Sequence, residues 1–299
     1  MENNHVKEWI VSHQKKLAIG AFCAAMSALL LWGGLSVIGR MRAVSAADEQ
    51  MEKASAMLAE VLVPEEDGPD ASGEALSDPD LISLKDADAK YAAGLEAHET
   101  DPYMRKRIDF DKLSAMVASD DVYGWLTVPE TEIDYVVMQG TNEEPAKYLW
   151  QDMYGEKSKT GCLFVQGALG ADRDDHTVIY GHRLKDHSLF FGPLLSFRDA
   201  EHAKAHSYAY TYDAQKVTKW ELAYVCEGKE EDAVYYFPYA KGTDEWTFLD
   251  QDIAAKAVYE NGNVGAEDDM LVLSTCSGRS AGRPERLYLV YRDVAYYVY

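Results

Sequence analysis

A cysteine and a histidine each follow an apolar, β-rich run, and together they could catalyse acyl transfer. Cys276 follows Leu-Val-Leu-Ser-Thr at residues 271–275, and His182 follows Thr-Val-Ile-Tyr-Gly at residues 177–181. A thiolate is a nucleophile, and an imidazole can carry a proton to a leaving amine. Two strands that deliver Cys276 and His182 to loop positions therefore indicate thiol catalysis. The alternative for Cys276 taken alone is structural burial, because free cysteine is a common core residue.

Arg286 is the third candidate catalytic residue and begins the next apolar run, Leu287–Tyr291. Its guanidinium does not lose its proton, so it acts as a hydrogen-bond donor and never as a base. Aimed at a carbonyl oxygen, it would stabilise the oxyanion of an acyl-transfer intermediate; a surface ion pair is the alternative. Ser274 and Thr275, beside the thiol, are candidate substrate-binding residues, with buried strand hydroxyls as the alternative.

The composition excludes several other classes of protein. The 299 residues carry a net charge of −22 and show no basic stripe, which argues against nucleic-acid binding. The 47% hydrophobic content excludes a fully disordered chain. The four cysteines are too few for a disulfide scaffold and lack the CxxC spacing of zinc sites. No metal or organic cofactor is therefore expected, and pairing of Cys162 with Cys226 stays open.

The elements that must position these residues are mostly short strands. Eight β-rich runs separated by turn residues predict a β-sandwich or a closed barrel. Two helices are predicted beside them, over residues 105–118 and, capped by Thr243 and stopped at Asn261-Gly262, over residues 243–261. The eight predicted strands are 124–128, 133–138, 161–165, 177–180, 208–212, 220–226, 270–273 and 287–291.

Residues 17–39 are an uncharged run that predicts a transmembrane anchor. A helix of this length rises about 35 Å, enough to cross a hydrocarbon core of about 30 Å. A signal peptide cleaved before Ala47 is the alternative, but secretory apolar regions are shorter, about 7–15 residues. We expect residues 1–16 to be cytoplasmic and the catalytic domain to lie on the extracellular face of the cell membrane, as a single-pass protein in contact with membrane lipid.

The region between the anchor and the β-rich domain is acidic and poor in aromatic residues. Such a composition buries too little apolar surface to offset the entropy of ordering the chain. Residues 40–102 are therefore predicted to be a solvated stalk or linker, and residues 103–299 to form the catalytic domain.

At these motifs the sequence resembles the sortases, and among them class B. Leu273-Ser-Thr-Cys276 matches the family's Leu-x-Thr-Cys core, and Tyr180-Gly-His182 with the Leu-Phe-Phe-Gly that follows at residue 189 matches its histidine segment. Arg286 stands at the family's arginine spacing. The predicted helix at 243–261 falls in the connection where class B carries one. The resemblance covers about residues 103–299 and implies a closed eight-stranded sortase-type β-barrel with peripheral helices, following an N-terminal transmembrane helix.

Two departures from the family pattern concern the residues around the thiol. Val272 stands where the family usually opens its cysteine motif with Thr, and Val is tolerable in a buried strand. Cys276 is followed by Ser277-Gly-Arg279, with no carboxylate that could orient the histidine. The resemblance therefore implies a Cys-His-Arg site rather than a Cys-His-Asp triad.

The resemblance implies a membrane-anchored cysteine transpeptidase that needs no cofactor. Cys276 would cleave a C-terminal sorting motif of secreted proteins after Thr and form a thioester, His182 would protonate the leaving amine, and Arg286 would hold the carbonyl oxygen. The acceptor amine would come from a peptidoglycan cross-bridge precursor or from a pilin lysine. The implied setting is a Gram-positive cell wall, where such enzymes anchor surface proteins.

Several alternatives stay open at this point. A thiol hydrolase would use the same residues with water as the acceptor, and a degenerate membrane-tethered binding protein would keep them without turnover. An L,D-transpeptidase also uses Cys, His and Arg, but its Ser-x-Gly-Cys motif does not match Leu273-Ser-Thr-Cys276. The sequence does not decide between sorting motifs of the Asn-Pro-x-Thr and Leu-Pro-x-Thr types, nor between pilus assembly, wall anchoring and haem uptake.

Overall fold

The computed structural model describes residues 41–42, 45–46, 48–64, 88–117, 119–167, 175–183, 189–236, 239–277 and 284–299. The chain divides into two compact units, Met1–Glu49 and Gln50–Tyr299. In the first unit, the described residues 41–42, 45–46 and 48–49 are helical. None of the described helices has the length and apolarity that a bilayer crossing requires. The predicted anchor, residues 17–39, lies outside the described residues.

Nine strands form one sheet in the described part of the second unit. They run in the order β5-β1-β2-β3-β4-β8-β9-β6-β7, and β5 also pairs with β6. The strands are β1 (Val122–Thr127), β2 (Asp134–Gln139), β3 (Leu163–Val165), β4 (His176–Tyr180), β5 (Tyr208–Tyr212), β6 (Lys216–Lys229), β7 (Ala257–Glu260), β8 (Met270–Cys276) and β9 (Glu285–Val298).

The extra pairing of β5 with β6 closes eight of these strands into a barrel. Strand β6 has 14 residues and pairs with β9 along its whole length. On its other edge, the first half pairs with β5 and the second half with β7. The predicted closed eight-stranded barrel is therefore confirmed, and β7 lies outside the closed ring. Most barrel positions on β8 and β9 are fully buried.

Helices surround the barrel. Helix α6 covers its outer face, where Trp246, Leu249 and Ile253 pack with Val272 of β8 and Tyr288 of β9. The helices of the second unit are α1 (residues 50–61), α2 (Ala89–Thr100), α3 (Pro102–Arg105), α4 (Phe110–Val117), α5 (Ala200–Ala205) and α6 (Asp244–Ala254).

Helix α6 begins as predicted but ends earlier than Asn261. The Thr243 side chain accepts from the Trp246 backbone and caps the helix. The helix stops at Ala254, and the residues predicted to be its last turn form β7 instead. β-branched and aromatic residues, Val258 and Tyr259, favour an extended strand there, and β6 offers a free edge beyond β5.

The helix predicted over residues 105–118 is also wrong in its first part. Helix α3 ends at Arg105, and α4 begins only at Phe110. Between them Ile108 forms a β-bridge with Leu62, and the Asp109 backbone donates to the Val61 carbonyl at 2.8 Å. The Asp109 carboxylate accepts from the Lys112 backbone, an N-cap bond that starts a new helix.

The predicted stalk differs from the structure at two places. Helix α1 buries Ala54, Met57 and Val61, and α2 buries Tyr91. Gly94 of α2 lies against the Tyr296 backbone of β9, where a Cβ atom would stand 1.7 Å from the Tyr296 carbonyl oxygen. Spaced small and apolar residues thus dock these two helices inside the second compact unit. Residues 65–87 of the predicted stalk lie outside the described residues.

Candidate active site

Strand β8 is the centre of the site because it pairs with β4 on one edge and β9 on the other. Cys276 is its last residue, and in the antiparallel register its partner on β9 is Arg286. Strand β4 runs parallel to β8, and their last pair is Tyr180 with Ser274. Cys276 and His182 each lie two residues beyond this pair. The three candidate catalytic residues therefore reach the same end of three adjacent strands.

Gly181 brings the histidine segment close to β8. Its backbone donates to the Ser274 carbonyl at 3.1 Å, which continues the β4–β8 ladder by one bond. A Cβ atom at this position would meet the Leu163 and Phe191 side chains at 2.5 and 2.6 Å. Glycine is therefore needed here for a close approach that a larger residue would block.

The three candidate catalytic residues line one cavity of about 360 Å³. Cys276, His182 and Arg286 all contribute to its walls. Ser274 and Thr275 line it as well. Because the three strand ends converge on this cavity, a peptide carbonyl placed in it could meet a thiol, an imidazole and a guanidinium.

The His182 ring is held by the segment before β3. Its Nε2 lies 3.0 Å from the Leu149 carbonyl oxygen. A carbonyl only accepts, so Nε2 carries the hydrogen and Nδ1 is the ring nitrogen that can accept a proton. The Trp150 ring, 58% exposed, stands 5.6 Å from the His182 ring. Burial lowers the pKa of His182, and the bond to the Leu149 carbonyl opposes this effect.

Arg286 is paired with a carboxylate across the cavity. Its Nη2 lies 2.5 Å from Glu230 Oε2, and its Nη1 donates to the Glu285 carbonyl at 3.2 Å. Burial raises the pKa of both Tyr180 and Tyr235, and the Arg286 charge opposes that shift in each. The guanidinium therefore acts electrostatically on two tyrosines that also line the cavity.

The hydroxyls of Ser274 and Thr275 are engaged within the protein. Ser274 Oγ lies 2.7 Å from the Tyr235 hydroxyl, and Thr275 Oγ1 donates to the Gly181 carbonyl at 2.8 Å. Both residues are 2% exposed. Their assignment as substrate-binding residues stays a prediction. The Thr275 bond holds the backbone that leads to His182, which is a positioning role.

The other described cysteines differ from Cys276 in burial. Cys162 and Cys226 are buried and free, whereas Cys276 is partly exposed. Burial raises the pKa of the Cys162 thiol well above its usual range and that of Cys226 to about 12. In the structure these two thiols do not form a disulfide, and their burial suits a core role.

Metal ligation was not expected from the sequence. Among the residues that the structure describes, no group of three or more His, Cys, Asp or Glu side chains is arranged to hold a metal ion. The expectation of a cofactor-free site stays a prediction.

Comparison with known proteins identifies the family. The family model for the Sortase domain matches residues 126–293, more than half of the chain. The chain belongs to the sortase family. Sortase B of Listeria monocytogenes is 29% identical over 198 residues, covering 64% of this chain and 76% of the relative. Sortase B of Staphylococcus aureus is 25% identical over 188 residues, covering 62% and 74% respectively.

The fold of this sortase is shared with solved structures. The crystal structure of Clostridium perfringens sortase B matches with a TM-score of 0.55 at 21% identity, covering 62% of this chain and all of that one. This sortase is therefore a cysteine transpeptidase with class B relatives. Its helix α6 lies between β6 and β8, in the connection where the resemblance placed a helix.

Several cavity residues carry no signal in the sequence. Leu149, Glu230 and Tyr235 reach the site from segments far from the cysteine and histidine motifs. Each belongs to a short turn or 3-10 helix whose local sequence resembles any surface connection. Their contacts depend on how distant segments pack, so only the folded structure reveals them.

Proposed function

We propose that this sortase joins secreted proteins bearing a C-terminal sorting signal to an amine of the cell wall precursor or of a pilin. Sortases as a family act on sorting signals and amine nucleophiles. The observation that carries the proposal is the convergence of Cys276, His182 and Arg286 on one cavity. Trp150, exposed at its rim, leaves room for an extended peptide beside the histidine.

The first half of the reaction forms a thioester. The Cys276 thiolate attacks the Thr carbonyl carbon of the sorting signal, and the Arg286 guanidinium donates to the resulting oxyanion. Protonated His182 gives its proton to the leaving amine as the peptide bond breaks. The C-terminal fragment leaves, and the protein remains bonded to Cys276 Sγ.

The second half transfers the protein to an amine. The acceptor nitrogen attacks the thioester carbonyl, and His182 takes the proton that this nitrogen loses. The carbon–sulfur bond breaks and regenerates the thiolate, with His182 protonated again. In the resting structure Arg286 bonds Glu230, so a substrate carbonyl must share or replace that partner.

Product analysis tests the proposal. Peptides carrying Asn-Pro-x-Thr or Leu-Pro-x-Thr motifs are incubated with the enzyme, with and without triglycine or a lysine peptide, and the products are identified by mass spectrometry. We expect cleavage after Thr and ligation to the amine. Water as the sole acceptor would indicate a thiol hydrolase. Absence of any Cys276 thioester would indicate a degenerate binding protein.

We further propose that residues 17–39 anchor the enzyme in the cell membrane with the catalytic domain outside. The proposal is supported by the uncharged run and its flanking Lys15, Lys16, Arg40 and Arg42. The protein should remain in the membrane fraction after an alkaline wash. Extracellular protease should release a soluble fragment cut between residues 65 and 87. A mature chain that begins at Ala47 would contradict this proposal.

A further inference from the structure

The residue after the histidine, Arg183, contacts the residue that carries the thiol. Arg183 Nε donates to the Cys276 backbone carbonyl at 3.1 Å. Neither the sequence motifs nor the proposed mechanism uses this arginine. It is the last described residue before a gap in the described chain.

This contact is the outermost of three bonds that continue the β4–β8 pairing beyond its last ladder pair. The Gly181 backbone donates to the Ser274 carbonyl, and Thr275 Oγ1 donates back to the Gly181 carbonyl. Arg183 then reaches one residue further, to Cys276. Regular strand pairing ends at Tyr180, so these bonds hold His182 and Cys276 in register where the ladder no longer does.

Cys276 thus lies between two guanidinium groups on opposite edges of β8. Arg286 is its register partner on β9, and Arg183 reaches it from the end of β4. Because the carbonyl oxygen and Sγ of one residue share an α-carbon, the Arg183 charge stands roughly 4–7 Å from the thiol. At such a distance a fixed positive charge favours the thiolate.

We propose that Arg183 is a positioning residue for Cys276. Its Nε–H fixes the backbone that carries the thiol, and its charge lies beside the thiol on the edge of β8 opposite Arg286. The proposal rests on the proposed function in naming Cys276 as the nucleophile. The other titratable or charged groups on the described elements around Cys276 are Tyr180, His182, Glu230, Tyr235, Glu285 and Arg286.

Two of these groups could move the same titration and must be separated from Arg183. Glu230 opposes the thiolate but is paired with Arg286. His182 bears a charge only when protonated, and burial lowers its pKa. The Arg183 charge does not change with pH, so its removal shifts the thiol's titration without adding a new step.

The test compares Arg183→Gln, Arg183→Lys and the wild-type full-length enzyme. Arg105→Gln is the matched control, because it removes one arginine whose Nη1 bonds the exposed Glu99 carbonyl on the domain's surface. The first readout is the rate of Cys276 alkylation by iodoacetamide against pH, located by peptide mass spectrometry. The second is kcat and KM for the sorting peptide. Thermal melting checks that each variant is folded.

We expect Arg183→Gln to shift the alkylation midpoint upward by about 0.5–1 pH unit. It should also lower kcat about tenfold with less than a twofold change in KM, as loss of a correctly held nucleophile requires. Arg183→Lys keeps the charge but not the Nε position, so it should restore the midpoint and leave kcat lowered. Arg105→Gln should match the wild type.

An unshifted midpoint in folded Arg183→Gln would overturn the proposal, even if kcat falls, since that pattern describes a brace without electrostatic effect. An unchanged kcat would overturn it equally. The alkylation readout needs no sorting peptide. Failure of the proposed function would instead show as normal Cys276 alkylation with no thioester in any variant, the wild type included.

Discussion

The two ends of the parallel β4–β8 pair carry the same kinds of residue in different surroundings. At the first end, His176 is fully buried and its ring lies between those of Tyr239 and Trp246. At the other end, His182 is only partly buried and lines the cavity beside Cys276. Burial lowers the pKa of His176 to about 3, which keeps it neutral in the native state.

The charged groups of the two ends differ in the same way. At the first end, Lys90 of α2 lies 2.5 Å from Asp293 and 2.9 Å from Asp268, and this cluster is largely enclosed. At the catalytic end, Arg286 pairs with the exposed Glu230, which a substrate can displace. One end of the barrel is therefore suited to stability and the other to exchange of partners.

The largest expected effect separates the cysteines. Cys276→Ala should abolish thioester formation and transpeptidation, because it removes the only nucleophile of the proposed mechanism. Cys162→Ala and Cys226→Ala should keep most of the activity, because both thiols are buried away from the cavity. Mass spectrometry of the acyl-enzyme and a fluorogenic sorting-peptide assay measure both. Turnover by Cys276→Ala would refute the mechanism.

The next effect concerns the geometry of the cation. Arg286→Ala and Arg286→Lys should each lower kcat about 10²–10³-fold, the loss typical of one oxyanion donor. Lysine keeps the charge but not the planar fork that reaches both Glu230 and a substrate carbonyl. The steady-state peptide assay decides this.

Arg279→Ala and Arg283→Ala are the controls for Arg286, and each should cost little in kcat. If Arg283→Ala were inactive and Arg286→Ala normal, the oxyanion donor would have to be reassigned to Arg283.

The closed end predicts a stability effect without a matching catalytic one. Lys90→Met should lower the free energy of unfolding by about 1–3 kcal/mol, since it leaves the buried Asp293 without its nearest cation. The kcat should change less than twofold. Lys112→Met is the control, because that lysine bonds the Glu60 carbonyl at the exposed surface. Urea unfolding and the peptide assay measure the two quantities, and a large fall in kcat would show that the two ends are coupled.

The smallest expected effect is the pH dependence of stability. Below its ordinary pKa, near 6.5, His176 binds a proton in the unfolded state but not in the native one, so stability falls as the pH is lowered toward 3. The slope from this residue reaches about 1.4 kcal/mol per pH unit. His176→Phe should reduce the slope of unfolding free energy between pH 6 and pH 4 by up to that amount. An unchanged slope would mean that the native state protonates His176.

The sequence was sufficient for the barrel and for the placement of the candidate catalytic residues. Each of Cys276, His182 and Arg286 directly adjoins an apolar strand, so a local pattern reveals its place. The helix ending at Ala254 was misjudged because Ala257 continued its spacing, while the free edge of β6 that captures residues 257–260 is a tertiary feature. The docking of Gly94 against Tyr296 likewise joins segments about two hundred residues apart. Contacts of this kind leave no local pattern.

The parallel pairing of β4 and β8 also determines what the active site tolerates. Tyr180 and Ser274 form the last ladder pair, and the imidazole and the thiol each follow by two residues. The separation of nucleophile and acid is therefore set by counting along two hydrogen-bonded strands, and the lengths of the loops that join them do not enter. Deleting one residue within β8 would move Cys276 by about 3.3 Å and turn its side chain to the other face of the sheet. Lengthening the connection that contains α6 and β7 would leave that count unchanged, so insertions there can alter which partners reach the cavity while the thiol and imidazole keep their places.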